Sequence, residues 1–311
     1  MEKNMPEQPE IPDRDTKRNI TPYLLIAPVI IYYIIFWFFP VINAIGGSFL
    51  TTSLDKGGIF TLANYKAVFR DPIFWEAVFN TTVIVLISVS LEFFLAFGLA
   101  LLINVKFKGS GFFLFLAIIP MSLPAVAVGA MWNSGLATYG WLNSFLIRTG
   151  IVDSSNKILF LAGTHFSRMM LIILVDAWQV IPFMMIILLS GMQGLQPEMA
   201  EAGLVFGGSR WQVLRKITVP MLKQTIVTAM ILRIIAAIQI WLIIVMIFGF
   251  NRLPVLMEQI VLNIDQYMAE EFFRKGMALS VIVALLVSGV SFIYLKASGA
   301  FNDPGSGEAD E

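Results

Sequence analysis

Long stretches without a charged side chain alternate with short polar connectors along this chain. A helix rising 1.5 Å per residue needs about 20 apolar residues to cross a bilayer. Six runs meet that length: about Tyr23–Ile45, Ala77–Asn104, Phe112–Met131, Met169–Met192, Thr225–Phe248 and Met277–Leu295. Their period is helical or continuous, and no alternation marks a strand. The pattern therefore predicts an all-α, polytopic membrane protein with six transmembrane helices. Pro28, Pro40, Pro120 and Pro124 fall inside these runs as expected kinks, because neighbouring helices can satisfy the backbone groups that proline frees. The charge-free stretch from Lys108 to Arg148 is too long for one span. Asn133–Ile147 is expected to be a short interfacial helix, with Trp132, Tyr139 and Trp141 in an aromatic belt.

Composition sharpens the picture. The 311 residues are 58% hydrophobic and 14% charged, with mean hydropathy +0.80. A soluble domain is about 45–50% apolar and about 25% charged. Formal net charge is zero, so no bulk basic field draws nucleic acid. One histidine and no cysteine argue against metal sites, thiolate chemistry and disulfides. The first 21 residues mix both signs around Pro6, Pro9 and Pro12 and read as a polar tail, 1–21, without a removable signal peptide. The apolar body with the six runs covers 22–296, and a second polar tail covers 297–311. Lysine and arginine are mildly denser on the side that holds the N-terminus, which favours both termini inside.

Three charges interrupt the runs: Glu92, Asp176 and Arg233. Each costs roughly 2.5–3.5 kcal/mol at mid-bilayer on insertion scales, so each should face the bundle interior or a wet cavity. Counted from the span ends, Glu92 and Arg233 lie near the midplane and Asp176 about 10 Å from the outer face. Glu92 is expected to serve structurally, paired with Arg233. Asp176 and Arg233 are read equally as path-lining groups or as helix ties. Trp178, Gln179, Gln239 and Trp241 join Asp176 and Arg233 as path candidates, since aromatic faces and amides suit a polar, hydroxyl-bearing solute. Packing explains any single one of them as well.

The segment 197–220 is predicted to form two short helices joined by a bend. Pro197 suits a first helical position, with Glu198 and Glu201 near the positive end of the dipole. Gly207-Gly208 suits a left-handed helix stop. Ser209 and Gln212 have capping-box spacing. Pro220 closes the second helix and turns the chain toward the fifth span. These signals alone fit an ordinary amphipathic re-entry loop equally well.

The same residues resemble the EAA loop of ABC importer permeases. Glu201-Ala202-Gly203 is followed by three residues, Gly207, nine more residues, and Ile217-Thr218-Val219-Pro220. Gly203 stands where the family has a second alanine, and Val219 where it has leucine. Pro22-Tyr23-Leu24, Asn64-Tyr65, Phe74-Trp75, Asn80-Thr81, Ile119-Pro120 with Pro124, Tyr139 to Asn143 and Gly276 to Ser280 are similar to the carbohydrate branch. That branch includes maltose-type and glycerol-3-phosphate-type permeases, and the resemblance covers roughly Thr21 to Lys296.

The resemblance implies a type I ABC importer permease fold in a bacterial or archaeal inner membrane, with the loop and both termini cytoplasmic. It implies that Glu201, Ala202, Gly203, Gly207, Ile217 and Pro220 form a coupling helix docked on an ATPase. The partners it implies are a second permease subunit in a heterodimer, two ABC ATPase subunits and an extracytoplasmic substrate-binding protein delivering a sugar. The chain has no Gly-rich phosphate loop, so it is expected to bind no cofactor and to be no enzyme. ATP and Mg belong to the ATPase. Alternatives are an importer permease for glycerol phosphate, an amino acid or a peptide, and a secondary transporter. The latter more often shows paired inverted repeats, and none is evident. A membrane enzyme would need a catalytic constellation that one histidine and three scattered charges do not supply.

Overall fold

The computed structural model describes residues 21–53, 57–264 and 269–300. Of the tails expected at 1–21 and 297–311, residues 1–20 and 301–311 lie outside them. Every named element among the described residues is a helix.

Helix α1 (Tyr23–Ser48) crosses a π-helical turn at Ile34–Phe38. A short α2 (Ala63–Arg70) leads into α3 (Pro72–Asn104). Asp71 starts α3 by accepting from the Ile73 N–H at 2.9 Å, and Pro72 follows at the first helical position, where its missing donor costs nothing. Then come α4 (Ser110–Ile118), α5 (Ala125–Leu136) and α6 (Trp141–Arg148). Helix α7 (His165–Gln193) is capped by Thr164. The loop pair α8 (Pro197–Val205) and α9 (Arg210–Met221) precedes α10 (Lys223–Ile238) and α11 (Leu242–Phe248). Helices α12 (Leu256–Ile264) and α13 (Glu270–Ser298) complete the chain.

Among the described residues, four helices are long and apolar enough to cross unbroken: α1, α3, α7 and α13. Two bent pairs raise the number to six only if each pair is one span. The expected third span turns by 94° between Ser110–Ser122 and α5. Leu123 is forced to an extended ψ of 133° by the proline after it. The expected fifth span, about Thr225–Phe248, is broken at Gln239–Trp241 between α10 and α11. The interfacial helix expected at Asn133–Ile147 is also two elements. Asn133 to Leu136 end α5, and α6 begins afresh at Trp141.

Asparagines hold these breaks. Asn133 donates to the Ile247 carbonyl at 2.6 Å. Asn143 donates to the Thr138 and Ile158 carbonyls, at 3.2 and 2.9 Å. Such groups need partners where water is scarce.

Three apolar clusters form the core. One gathers Ile84, Ile172, Val175, Ile244 and Leu253 from α3, α7 and α11 and the loop after α11. A second gathers Ala96, Ala100, Met184, Leu188 and Ala229 from α3, α7 and α10. A third joins α2, α3, α12 and α13 through Val68, Phe74, Leu256 and Leu279. None contains a residue of α1. Trp132, expected in an aromatic belt, instead packs against the first cluster and stands edge-on to Trp178 at 5.7 Å.

Candidate functional site

Between the first two clusters lies a layer of charge. Glu92 is on α3, Asp176 on α7 and Arg233 on α10, all buried. The Arg233 guanidinium grips Glu92 with two donors: Nε reaches Oε2, and Nη2 reaches Oε1 at 2.9 Å. Nη2 also donates to Asp176 Oδ2. The two-donor fork is the geometry that favours arginine over lysine. Removing one partner would strand a buried charge, at a cost of about 3–5 kcal/mol. The pairing of Glu92 with Arg233 is therefore present, and Asp176 completes it.

Arg233 also borders a cleft of about 320 Å³, with Met121, Gln179, Val180, Phe183 and Ala236. The other path candidates scatter. Gln179 lines this cleft, yet its amide donates to the Leu123 carbonyl at 2.9 Å, at the 94° turn. Trp178 and Trp241 are half-buried against the first apolar cluster. Gln239 is exposed at the end of α10.

The loop 197–220 is built much as its residues predict. Pro197 occupies the first turn of α8 and Glu198 follows it. Gly207 takes φ +83°, which any side chain would resist. Gly207 N–H reaches the Leu204 carbonyl at 2.9 Å and Gly208 N–H the Gly203 carbonyl at 3.0 Å. This pair of bonds is a Schellman stop. Ser209 N–H then donates to Gln212 Oε1 at 2.8 Å, and Gln212 N–H to Ser209 Oγ at 3.3 Å. That is the expected capping box.

The second helix runs further than expected. A π-helical turn at Leu214–Thr218 carries Arg215, Lys216 and Ile217, and the helix continues through Pro220 to Met221. The bend of 69° falls at buried Leu222, two residues after the proline. Gly203, the departure from the family's alanine, faces Ile217. A Cβ there would come within 2.6 Å of Ile217 Cδ1, so the two helices touch closely.

The tip of the loop is apolar and open. Val205 is 85% exposed, Phe206 90% and Trp211 69%. A cavity of about 460 Å³ behind α8, lined by Asn104, Lys106, Gln193, Gln196 and Glu201 among others, separates the loop from the ends of α3 and α7.

Some polar work escaped sequence reasoning. Asn80 is fully buried, donates to the Pro254 carbonyl at 2.8 Å and meets His165 Nε2 through its Oδ1 at 2.8 Å. Buried Glu258 collects the Asn251 and Val255 N–H groups at 2.6 and 3.3 Å. Burial pushes its carboxyl up, although those donors pull the other way. Asp71 meets Lys275 Nζ at 2.6 Å. Partial burial raises its carboxyl, but the Lys275 ammonium and the Ile73 N–H outweigh that and hold it below its ordinary value. The signal for Asp71 was its place before Pro72, which is a helix start. Nothing local points Asn80 at a loop 174 residues away.

A family model described as binding-protein-dependent transport system inner membrane component matches residues 92–298. The trehalose/maltose transport system permease protein MalF of Thermococcus litoralis is 29% identical over 280 residues, covering 88% of this chain and 92% of that protein. The sulfoquinovosyl glycerol transport system permease protein SmoG of Agrobacterium fabrum is 32% identical over 229 residues, covering 72% and 73%. Among solved structures, a bacterial ABC transporter involved in the import of the acidic polysaccharide alginate shares the fold. Its chain superposes with TM-score 0.79 at 20% identity, covering 93% of this chain and 98% of that one.

Proposed function

The chain belongs to the binding-protein-dependent transport system inner membrane component family, and from that premise we propose that it forms half of the path by which an ATP-driven importer carries a sugar. It is a transport subunit and not an enzyme. ATP and Mg are assigned to two copies of a separate ATPase. A second permease subunit supplies the other half of the path, and an extracytoplasmic binding protein delivers the sugar. The relatives named for trehalose/maltose and sulfoquinovosyl glycerol support a sugar as cargo.

The loop 197–220 carries the coupling reading. Its two helices are fixed at both turns by the Schellman stop and the capping box. Fixed that way, they hold Val205 and Phe206 in the open. Large exposed apolar side chains on a rigid support suit a groove on a partner. We assign that partner as the ATPase, which places the loop and both termini in the cytoplasm of a bacterial or archaeal inner membrane. Glu201, Ala202, Gly203, Gly207, Ile217 and Pro220 shape the knob, and Phe206 is its tip. Gln179 and Arg233 are the path candidates that share a cleft. Asp176 acts there through Arg233. Trp178 and Trp241, half-buried against the first cluster, and Gln239, exposed after α10, are path candidates outside that cleft.

The test is purification in mild detergent with mass spectrometry of what accompanies the chain, followed by uptake by the assembled complex. A second permease and a Walker-type ATPase are expected. Glu201→Lys and Gly207→Pro should keep insertion while uncoupling uptake from hydrolysis. Unchanged uptake in both variants defeats the coupling assignment.

A further inference from the structure

Helix α10 occupies a singular place in the chain. At its start it joins α9 of the loop through the 69° bend at Leu222, and at its end it breaks at Gln239–Trp241. It is therefore a rod bounded by a bend at one end and a break at the other, and it packs on α3 and α7 in between through Ala229. Between those ends Arg233 ties it to Glu92 on α3 and Asp176 on α7. Helices α3 and α7 share both of the flanking apolar clusters, so they form one rigid wall.

Arg233 sits eleven residues beyond the Leu222 bend and six before Gln239. At 1.5 Å per residue it divides the rod into arms of about 16 and 9 Å. Breaking the ion cluster would strand charge in a low-dielectric interior, which favours movements of α10 that keep it intact. The same guanidinium borders the cleft of about 320 Å³ that Gln179 and Phe183 also line.

We propose that the Glu92–Arg233–Asp176 cluster is the fulcrum of the importer's power stroke. Force from the ATPase enters at α8 and α9, tilts α10 about Arg233, and reshapes the cleft beside it. Arg233, Glu92 and Asp176 are then positioning residues, and none of them needs to touch the cargo. This rests on the transport reading above.

The test uses the complete importer in proteoliposomes, with its cognate binding protein and with maltose and trehalose as probes. Uptake and ATP hydrolysis are measured together for the wild type, Glu92→Gln and Asp176→Asn. A fulcrum that no longer holds lets the ATPase turn over without moving the rod. Sugar carried per ATP should fall by at least about fivefold, the lower end of a typical coupling between two sites, while hydrolysis persists. Arg233→Lys, which keeps the charge and loses the fork, serves where a neutral variant does not assemble, and should show the same split. If uptake and hydrolysis fall by the same factor, or neither falls, the cluster is a static tie and the proposal is wrong. A raised KM for sugar at an unchanged ratio would make Arg233 a cargo contact and overturn it as well. A wild-type complex whose hydrolysis ignores sugar-loaded binding protein removes the transport reading itself, and the fulcrum with it.

Discussion

Gln179 on α7 donates its amide to the carbonyl of Leu123 at 2.9 Å, where the chain turns through 94°. A turn that sharp leaves helix carbonyls without partners, and Gln179 reaches across to one of them. Replacing it by leucine should leave that acceptor bare and cost about 1–3 kcal/mol. Thermal unfolding of the purified complex would register the loss as a lower Tm. A variant as stable as the parent would show that the bond contributes nothing.

The loop tip and the loop frame should fail differently. Phe206 is exposed and supports no packing, so Phe206→Ala should leave the fold intact and weaken retention of the ATPase in a pull-down. Ser209→Ala removes a cap worth about 1 kcal/mol, and Gly207→Ala forces a side chain into a left-handed backbone at about 1–2 kcal/mol. Both should raise hydrogen exchange across α8 and α9. Equal ATPase retention in Phe206→Ala and the wild type would rule out the knob.

Asp71 makes the protein sensitive to acid. Its carboxyl lies below the ordinary value of 3.8 in the folded chain. The pair with Lys275 therefore stabilises in full above that value, and its contribution is lost as pH falls through the lower folded value. A plot of Tm against pH should fall more steeply on the acid side for the wild type than for Asp71→Asn. Parallel curves would mean that the pair adds nothing.

Asn80 pins the loop between α11 and α12 through the Pro254 carbonyl, and Thr81 helps by accepting from the Leu256 N–H at 3.1 Å. Asn80→Ala should free the stretch 249–256 while the helices stay formed. Limited proteolysis or hydrogen exchange would detect faster cleavage or exchange there. No change in that stretch would show that Thr81 and Glu258 hold it without Asn80.

Much of this was legible in the residues, and the exceptions have physical reasons. The capping box at Ser209 and Gln212 and the left-handed Gly207 are local devices, so local spacing revealed them. The Glu92–Arg233 pair followed from matched depth. Asp176 was placed too near the end of its span because the count began at Met169, whereas α7 begins at His165. Those four residues add about 6 Å of depth, which brings Asp176 toward Arg233. The break at Gln239–Trp241 contains neither glycine nor proline, so no punctuation marked it. Trp132 was misplaced because an indole suits an interface and a core equally well, and only its neighbours Trp141 and Trp178 decide.

Every described side chain from Tyr23 to Ile45 is at least partly exposed, and α1 meets the rest of the chain mainly where its last turns lie against α13. The body of the molecule can therefore find its own shape without waiting for its leading helix. That helix stands out from the body like an outrigger, so most of its apolar length is left for lipid or another subunit to cover.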